Sequence, residues 1–161
     1  SEVVLVSRLQ KRLIQLNPSL PPEAIAATAD ELSRDRSAML PAAANRELWE
    51  LMRDGVKVSV ADLVRGGQKD ERVRVVDWNN PAANDFLLVS QMTVVGQLYT
   101  CRPDLIGFVN GLPWVVVELK KPGVPAKQAF AKLLQLQQVF LYIKFPPTVR
   151  IAYSEDLLYR L

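Results

Sequence analysis

The 161-residue chain is predicted to fold as an α/β sandwich, a central mixed β-sheet flanked by helices. Three observations lead there. Apolar residues recur at helical spacing through the first third of the chain, and at Val56 the composition turns to β-forming residues. Near the middle, residues 105–109 and 113–119 are apolar on both faces, the pattern of central strands covered from both sides.

Taken in order, Val4, Leu5, Leu9, Leu13, Ile14 and Leu16 follow a 3.6-residue period that stops at Asn17-Pro18. Pro21-Pro22 opens a second helix whose apolar face is Ala24, Ile25, Ala29 and Leu32; proline is tolerated there because the first turn leaves N–H groups unbonded anyway. A third helix runs from about Ala42 to Asp54, carries Leu48, Leu51 and Met52, and is stopped by Gly55. Val56, Val58 and Val60 then alternate with polar residues, Gly66-Gly67 turns the chain, and Val73, Val75 and Trp78 alternate on the return. Asn79-Asn80-Pro81 is a loop, and residues 86–95 read as one longer strand. Beyond the central pair, Pro125 starts a helix to about Leu141, with Phe130, Leu133 and Leu134 among its apolar positions, and residues 148–153 form a last strand. The expected organisation is a single domain over residues 1–161: helical over 1–54, sheet and hairpin over 55–122, helix and final strand over 123–161.

Composition narrows the chemistry. A hydrophobic content of 49% with 23% charged residues is that of an ordinary water-soluble domain, and every apolar run is broken well short of a membrane span. No basic segment followed by an apolar one marks a signal peptide at the start. A single cysteine, Cys101, excludes an internal disulfide framework and points to a reducing compartment; its thiol is expected to be buried and inert. The absence of histidine removes Ser-His-Asp and Cys-His hydrolases and most zinc sites. Carboxylates, lysines and a hard cation are what remains for catalysis. The net charge of +3 is too mild to indicate nucleic acid by itself. Its clusters are suggestive: Arg8, Lys11 and Arg12 on one helical face; Arg65, Lys69, Arg72 and Arg74 around the first hairpin; Lys120, Lys121, Lys127 and Lys132 further on. Solvated surface charge balanced by the 17 acids accounts for them equally well. Trp49, Trp78 and Trp114 read as core.

The segment that carries chemistry is Arg102-Pro103-Asp104 through Glu118-Leu119-Lys120-Lys121-Pro122. Folding its two apolar strands into a hairpin brings Asp104 towards Glu118. Two adjacent carboxylates in a poorly solvated place are costly unless a cation sits between them, and oxygen donors suit Mg²⁺. The backbone carbonyl of Leu119 could be a further ligand. Glu118 and Lys120 are two apart, so on a strand both point to one face, and Lys120 reaches the same site. Such a set suits phosphodiester hydrolysis, with lysine orienting a water or stabilising developing charge. By spacing alone, a strand simply ending at solvent in Glu118, Lys120 and Lys121, with Asp104 as a turn residue, stays open.

The hairpin turn sets a geometric condition. Asn110-Gly111 favours a two-residue type I′ turn. Continued without interruption, that turn pairs Asp104 with Val117 and sends Glu118 to the opposite face, where the two carboxylates cannot share a cation. The expectation is therefore a three-residue loop, Val109-Asn110-Gly111, or another slip or bulge of odd size that restores the common face.

These residues resemble the Pro-Asp…(Asp/Glu)-x-Lys nuclease core, and more narrowly the amino-terminal nuclease domain of type I restriction enzyme motor subunits. The resemblance extends to Glu2-Val3-Val4-Leu5, Leu16-Asn17-Pro18, Asn45-Arg46-Glu47, Asp54-Gly55-Val56, residues 73–78, Asn84-Asp85-Phe86 and Gln91-Met92-Thr93-Val94, covering most of residues 2–131. It implies a restriction-endonuclease-like fold, Mg²⁺-dependent cleavage of double-stranded DNA, and work in the cytoplasm beside modification and specificity subunits. It also implies that the chain is a fragment of a larger motor subunit whose ATP-binding part lies elsewhere. Asp104 and Glu118 become metal ligands and Lys120 the catalytic lysine. Asn84 and Gln91, which match the family's pattern, are expected to be structural, and Glu47 and Glu50 to face water rather than supplement the metal. The chain departs from the family on the helix after the hairpin, where Lys132 and Leu136 replace the usual Gln and Tyr. That departure keeps a second reading open: a catalytically silent DNA-binding or assembly module that retains the nuclease fold.

Overall fold

The computed structural model describes residues 3–119 apart from 37, 63 and 96–99. The chain opens with three helices, α1 (Val6–Leu16), α2 (Pro22–Ser33) and α3 (Pro41–Asp54). As the sequence predicts, α2 starts on a proline in its first turn and Gly55 follows the last residue of α3; α3 also starts on a proline, Pro41, one residue before the expected start. Asn17 ends α1 with its side chain: the amide donates to the carbonyls of Leu13 (2.8 Å) and Arg74 (2.9 Å), and Oδ1 accepts from the Arg74 N–H (2.8 Å). One buried residue thus caps a helix and binds it to a segment 57 positions away. Arg36, buried, bonds Glu31 of α2 and Glu47 of α3 at 2.8 Å each, so its charge is matched from both helices.

Strands β1 (Val56–Ala61) and β2 (Gln68–Val73) form an antiparallel ribbon, from Val56 opposite Val73 to Ala61 opposite Gln68. Its inward residues Val56, Val60 and Val73 join Leu9, Leu13, Ile25, Leu32 and Met52 of the helices in the first core. Each such side chain contributes about 1.5–3 kcal/mol when fully buried.

The remaining strands are β3 (Phe86–Ser90), β4 (Val94–Val95), β5 (Thr100–Cys101), β6 (Leu105–Val109) and β7 (Leu112–Val117). They pair in the order β3-β6-β7, with β4 and β5 as a separate pair. Val3, Val94, Ile106, Phe108 and Val116 form the second core on one face of the three-stranded sheet.

One expectation needs correcting. The long strand over 86–95 is broken, because Gln91 takes a left-handed backbone (φ 53°) and ends β3. Strand β6 is central as predicted, but β7 lies at the edge of the described sheet. On the face away from the second core, Phe86, Leu88 and Val115 are exposed among the described residues. All described strand pairs are antiparallel. The helix expected over 125–141 and the strand over 148–153 lie outside the described residues.

Candidate metal centre

The hairpin joining β6 to β7 turns on Asn110 (φ 53°) and Gly111 (φ 83°), both left-handed, with Val109 opposite Leu112. This is the two-residue type I′ turn, so the three-residue loop is not the solution adopted. The tip is held from several sides. Asn110 is fully buried; its Oδ1 accepts from the Asp85 N–H (2.7 Å), and its amide donates to the Val75 carbonyl (2.8 Å) and Asn84 Oδ1 (2.9 Å). The Leu5 N–H donates to the Gly111 carbonyl at 2.8 Å, seating the turn against the start of α1.

Two residues below the turn the register changes. Phe108 stands opposite Pro113, but Gly107 stands opposite Val115, which leaves Trp114 unpaired as a one-residue bulge. Leu112 belongs to the first core and Val116 to the second, so β7 passes from one face of the sheet to the other at this point. Beyond the bulge Leu105 pairs with Val117, and the same register carried one step further sets Asp104 opposite Glu118. Asp104 lies two residues before Ile106 and Glu118 two residues after Val116, so both continue the face of the second core. The bulge of odd size thus restores the common face. Glu118 is buried (5% exposed) and Asp104 half-buried. Asp104 Oδ2 accepts from the Leu119 N–H at 2.6 Å, and Oδ1 from the Gln91 side-chain amide at 2.9 Å.

Aromatic packing explains why the extra residue sits at Trp114. Its ring centroid lies 6.4 Å from that of Trp49 on α3 and 5.7 Å from that of Trp78, and Trp49 and Trp78 meet edge-on at 5.7 Å. Such contacts contribute about 0.5–1.5 kcal/mol per pair beyond burial itself. The buried Trp114 indole N–H has no acceptor among the described residues, and the ring is packed against Trp49 and Trp78.

The carboxylates of Asp104 and Glu118 offer hard oxygens of the kind a divalent cation of the Mg²⁺ class takes. No cluster of three or more His, Cys, Asp or Glu side chains suited to a metal occurs among the described residues, so a cation here needs backbone and water oxygens as well. Lys120 lies outside the described residues, as do Lys121, Lys127, Lys132 and Leu136. Glu47 is engaged by Arg34 (2.6 Å) and Arg36, and Glu50 lines a groove between α2, α3 and β1; neither belongs to the hairpin site. Cys101 is half-buried in β5.

Much of the basic character seen in sequence braces the fold. Arg8 grips Asp85 through two bonds (2.7 and 2.9 Å), and that guanidinium holds the Asp85 carboxyl below its usual range. Arg12 donates to the Ala83 carbonyl, Lys69 pairs with Glu71, and Arg74 pairs with Asp77. Asn84 is buried, bonding both the N–H and the carbonyl of Asp77 besides Asn110, which is the structural role expected of it. Sequence reasoning missed the tryptophan cluster and the Gln91–Asp104 bond. The first has no local signal, and the second was visible only as a family-like residue. No described helix is long and apolar enough to cross a membrane.

Residues 1–154 match the family described as "Type I restriction enzyme R protein N terminus". The chain is 39% identical over 123 residues to the Type I restriction enzyme HindI endonuclease subunit of Haemophilus influenzae, covering 76% of this chain and 11% of that protein. It is 28% identical over 87 residues to the Type I restriction enzyme SsaAORF53P endonuclease subunit of Staphylococcus saprophyticus, covering 51% of this chain and 9% of the relative. The chain therefore spans about a tenth of the length of these curated relatives.

Proposed function

The chain belongs to the family of type I restriction enzyme R protein N termini, and from that membership we propose that residues 1–161 form one nuclease domain that cleaves double-stranded DNA. The observation that carries this reading is the Trp114 bulge, which turns Glu118 onto the face of Asp104. Without it the hairpin would separate the two carboxylates, and the site would have no reason to exist.

In this reading Asp104 and Glu118 hold Mg²⁺, with the Leu119 carbonyl as a third oxygen donor. The cation, when bound, supplies the charge that polarises the scissile phosphate. Lys120, two residues beyond Glu118 and on the same face if the strand continues, orients the attacking water or stabilises negative charge developing on the phosphate. Burial of Glu118 keeps bulk water from competing for the donors. DNA is met through its backbone, and sequence choice lies with other parts of the assembly. The partners are the modification and specificity subunits; ATP belongs to motor domains outside this chain, and the enzyme works in the cytoplasm.

In the complete R subunit, assembled with its partners, Asp104→Ala and Glu118→Ala should each abolish Mg²⁺-dependent cleavage. Lys120→Ala should abolish cleavage while calorimetry shows metal binding intact. Cleavage retained in either carboxylate variant would remove the site from consideration.

A further inference from the structure

Gln91 occupies a backbone conformation that glycine or asparagine would adopt more readily (φ 53°), at the break between β3 and β4. A turn alone does not require glutamine. Every polar group of this residue that forms a described bond is directed at one short segment. Its N–H donates to the Asp104 carbonyl (2.9 Å), its carbonyl accepts from Arg102 Nε (2.9 Å), and its side-chain amide donates to Asp104 Oδ1 (2.9 Å). Strained backbone persists where surrounding bonds over-determine it; here two of those bonds fix the Gln91 backbone to residues 102 and 104, and the third, from the side chain, reaches the carboxylate of Asp104.

We propose that Gln91 is a positioning residue for Asp104, its amide fixing the rotation of the carboxylate that faces Glu118. The inference rests on the metal-site reading above for its bearing on activity, but the positioning itself does not. The Asp104 carboxylate is held between two donors from different parts of the chain, Gln91 on Oδ1 and the Leu119 N–H on Oδ2. A carboxylate has about four lone-pair directions, so two remain for a cation. The choice of an amide follows from charge. A lysine or arginine in this place would orient the carboxylate equally well, but its positive charge would repel the cation the carboxylate is there to hold. A neutral donor orients without competing. Because the bond is exposed to water, its loss should register in the behaviour of Asp104 more than in overall stability.

The test uses Gln91→Gly and Gln91→Asn in the 161-residue chain. Both substitutes accept the left-handed backbone, so the N–H and carbonyl bonds survive. Glycine lacks the amide, and asparagine is one methylene too short to bring it to Oδ1. Two readouts are needed: amide hydrogen exchange of Leu119 in metal-free protein, and Mn²⁺ affinity by calorimetry with Asp104→Ala as the reference for lost binding. Both variants should exchange the Leu119 amide about tenfold faster, since its acceptor now rotates, and bind Mn²⁺ about tenfold more weakly, as loss of a ligand-orienting bond typically does. Leu119 exchange and Mn²⁺ affinity both unchanged within about twofold in folded Gln91→Gly would overturn the proposal. Faster Leu119 exchange in a chain whose Mn²⁺ binding is indifferent to Asp104→Ala would uphold the positioning and overturn the metal reading instead.

Discussion

The β1–β2 ribbon keeps one register along its whole length, whereas the β6–β7 hairpin changes register two residues below its turn. The ribbon is closed by a loop around Gly66 and Gly67, whose backbone is organised by Asp62: its Oδ1 accepts the N–H groups of Val64 and Arg65, and its own N–H and carbonyl bond Gly67 and Gly66. All of that is local. In the β6–β7 hairpin the tip is held by Asp85, Asn84, Val75 and Leu5, and the bulge by Trp49 and Trp78, all far away in sequence. An unbroken register sorts side chains by parity, which suffices when only a core must be filled, as Val56, Val60 and Val73 do. A site needing two particular residues on one face must correct parity when the turn sets it wrongly. The chain makes the correction where a bulky side chain already has a packed place to go.

The comparison breaks most severely if the bulge is removed. Deleting Trp114 should restore continuous pairing below the type I′ turn, turn Glu118 away from Asp104, and abolish Mn²⁺ binding. Loss of the ring should also lower stability by about 4 kcal/mol, the scale of removing a packed tryptophan. Trp114→Phe, which keeps the extra residue, should bind Mn²⁺ normally. Calorimetry on the two variants decides the matter, and a deletion variant that still binds metal through Asp104 would defeat the parity argument.

Next in size is Asn110→Ala, which removes three side-chain bonds, two of them buried, and leaves a left-handed backbone without local support. A loss of about 3 kcal/mol in urea unfolding is expected. The glycines sharpen the contrast between the hairpins. A Cβ at Gly111 would lie 2.7 Å from both the Leu5 carbonyl oxygen and the Leu9 nitrogen, while one at Gly66 would meet nothing within 4 Å, although both backbones are left-handed. Gly111→Ala should therefore cost more than about 2 kcal/mol and Gly66→Ala only about 1 kcal/mol, the intrinsic penalty of that conformation. Equal costs in parallel melts would show that the tip is not wedged against α1.

The smallest effect concerns pH. Backbone N–H groups of Arg65 and Val64 hold the Asp62 carboxyl below its ordinary value. A depressed folded-state pKa contributes stability that is present above the unfolded pKa and is lost as pH falls through the folded one. Asp62→Asn should thus flatten slightly the acid limb of stability, measured as urea midpoints at neutral pH and below the ordinary aspartate range. An acid limb identical to the parent's would mean that the loop opens without thermodynamic consequence.

Local chemistry made a good part of this protein readable before its fold. Periodicity located α1 to α3 because helical packing repeats over three and four residues, and the prolines at 21–22 and the glycine at 55 mark helix ends through backbone constraints that act on the spot. Asn110-Gly111 favoured the adopted turn for the same reason, although a three-residue loop was expected in its place, and the carboxylates at 104 and 118 suggested a hard-oxygen site. What only the tertiary structure decided is where those residues point. The place of the bulge depends on ring contacts with Trp49 and the partly exposed Trp78, and the break at Gln91 on bonds to residues 102 and 104. The basic groups that resembled a nucleic-acid surface in sequence turned out to be spent in part on Asp85, Glu71 and Asp77. Strand parity is a count carried along the chain, so one extra residue reverses every face beyond it. Contacts between distant segments choose that residue, and no local pattern records them.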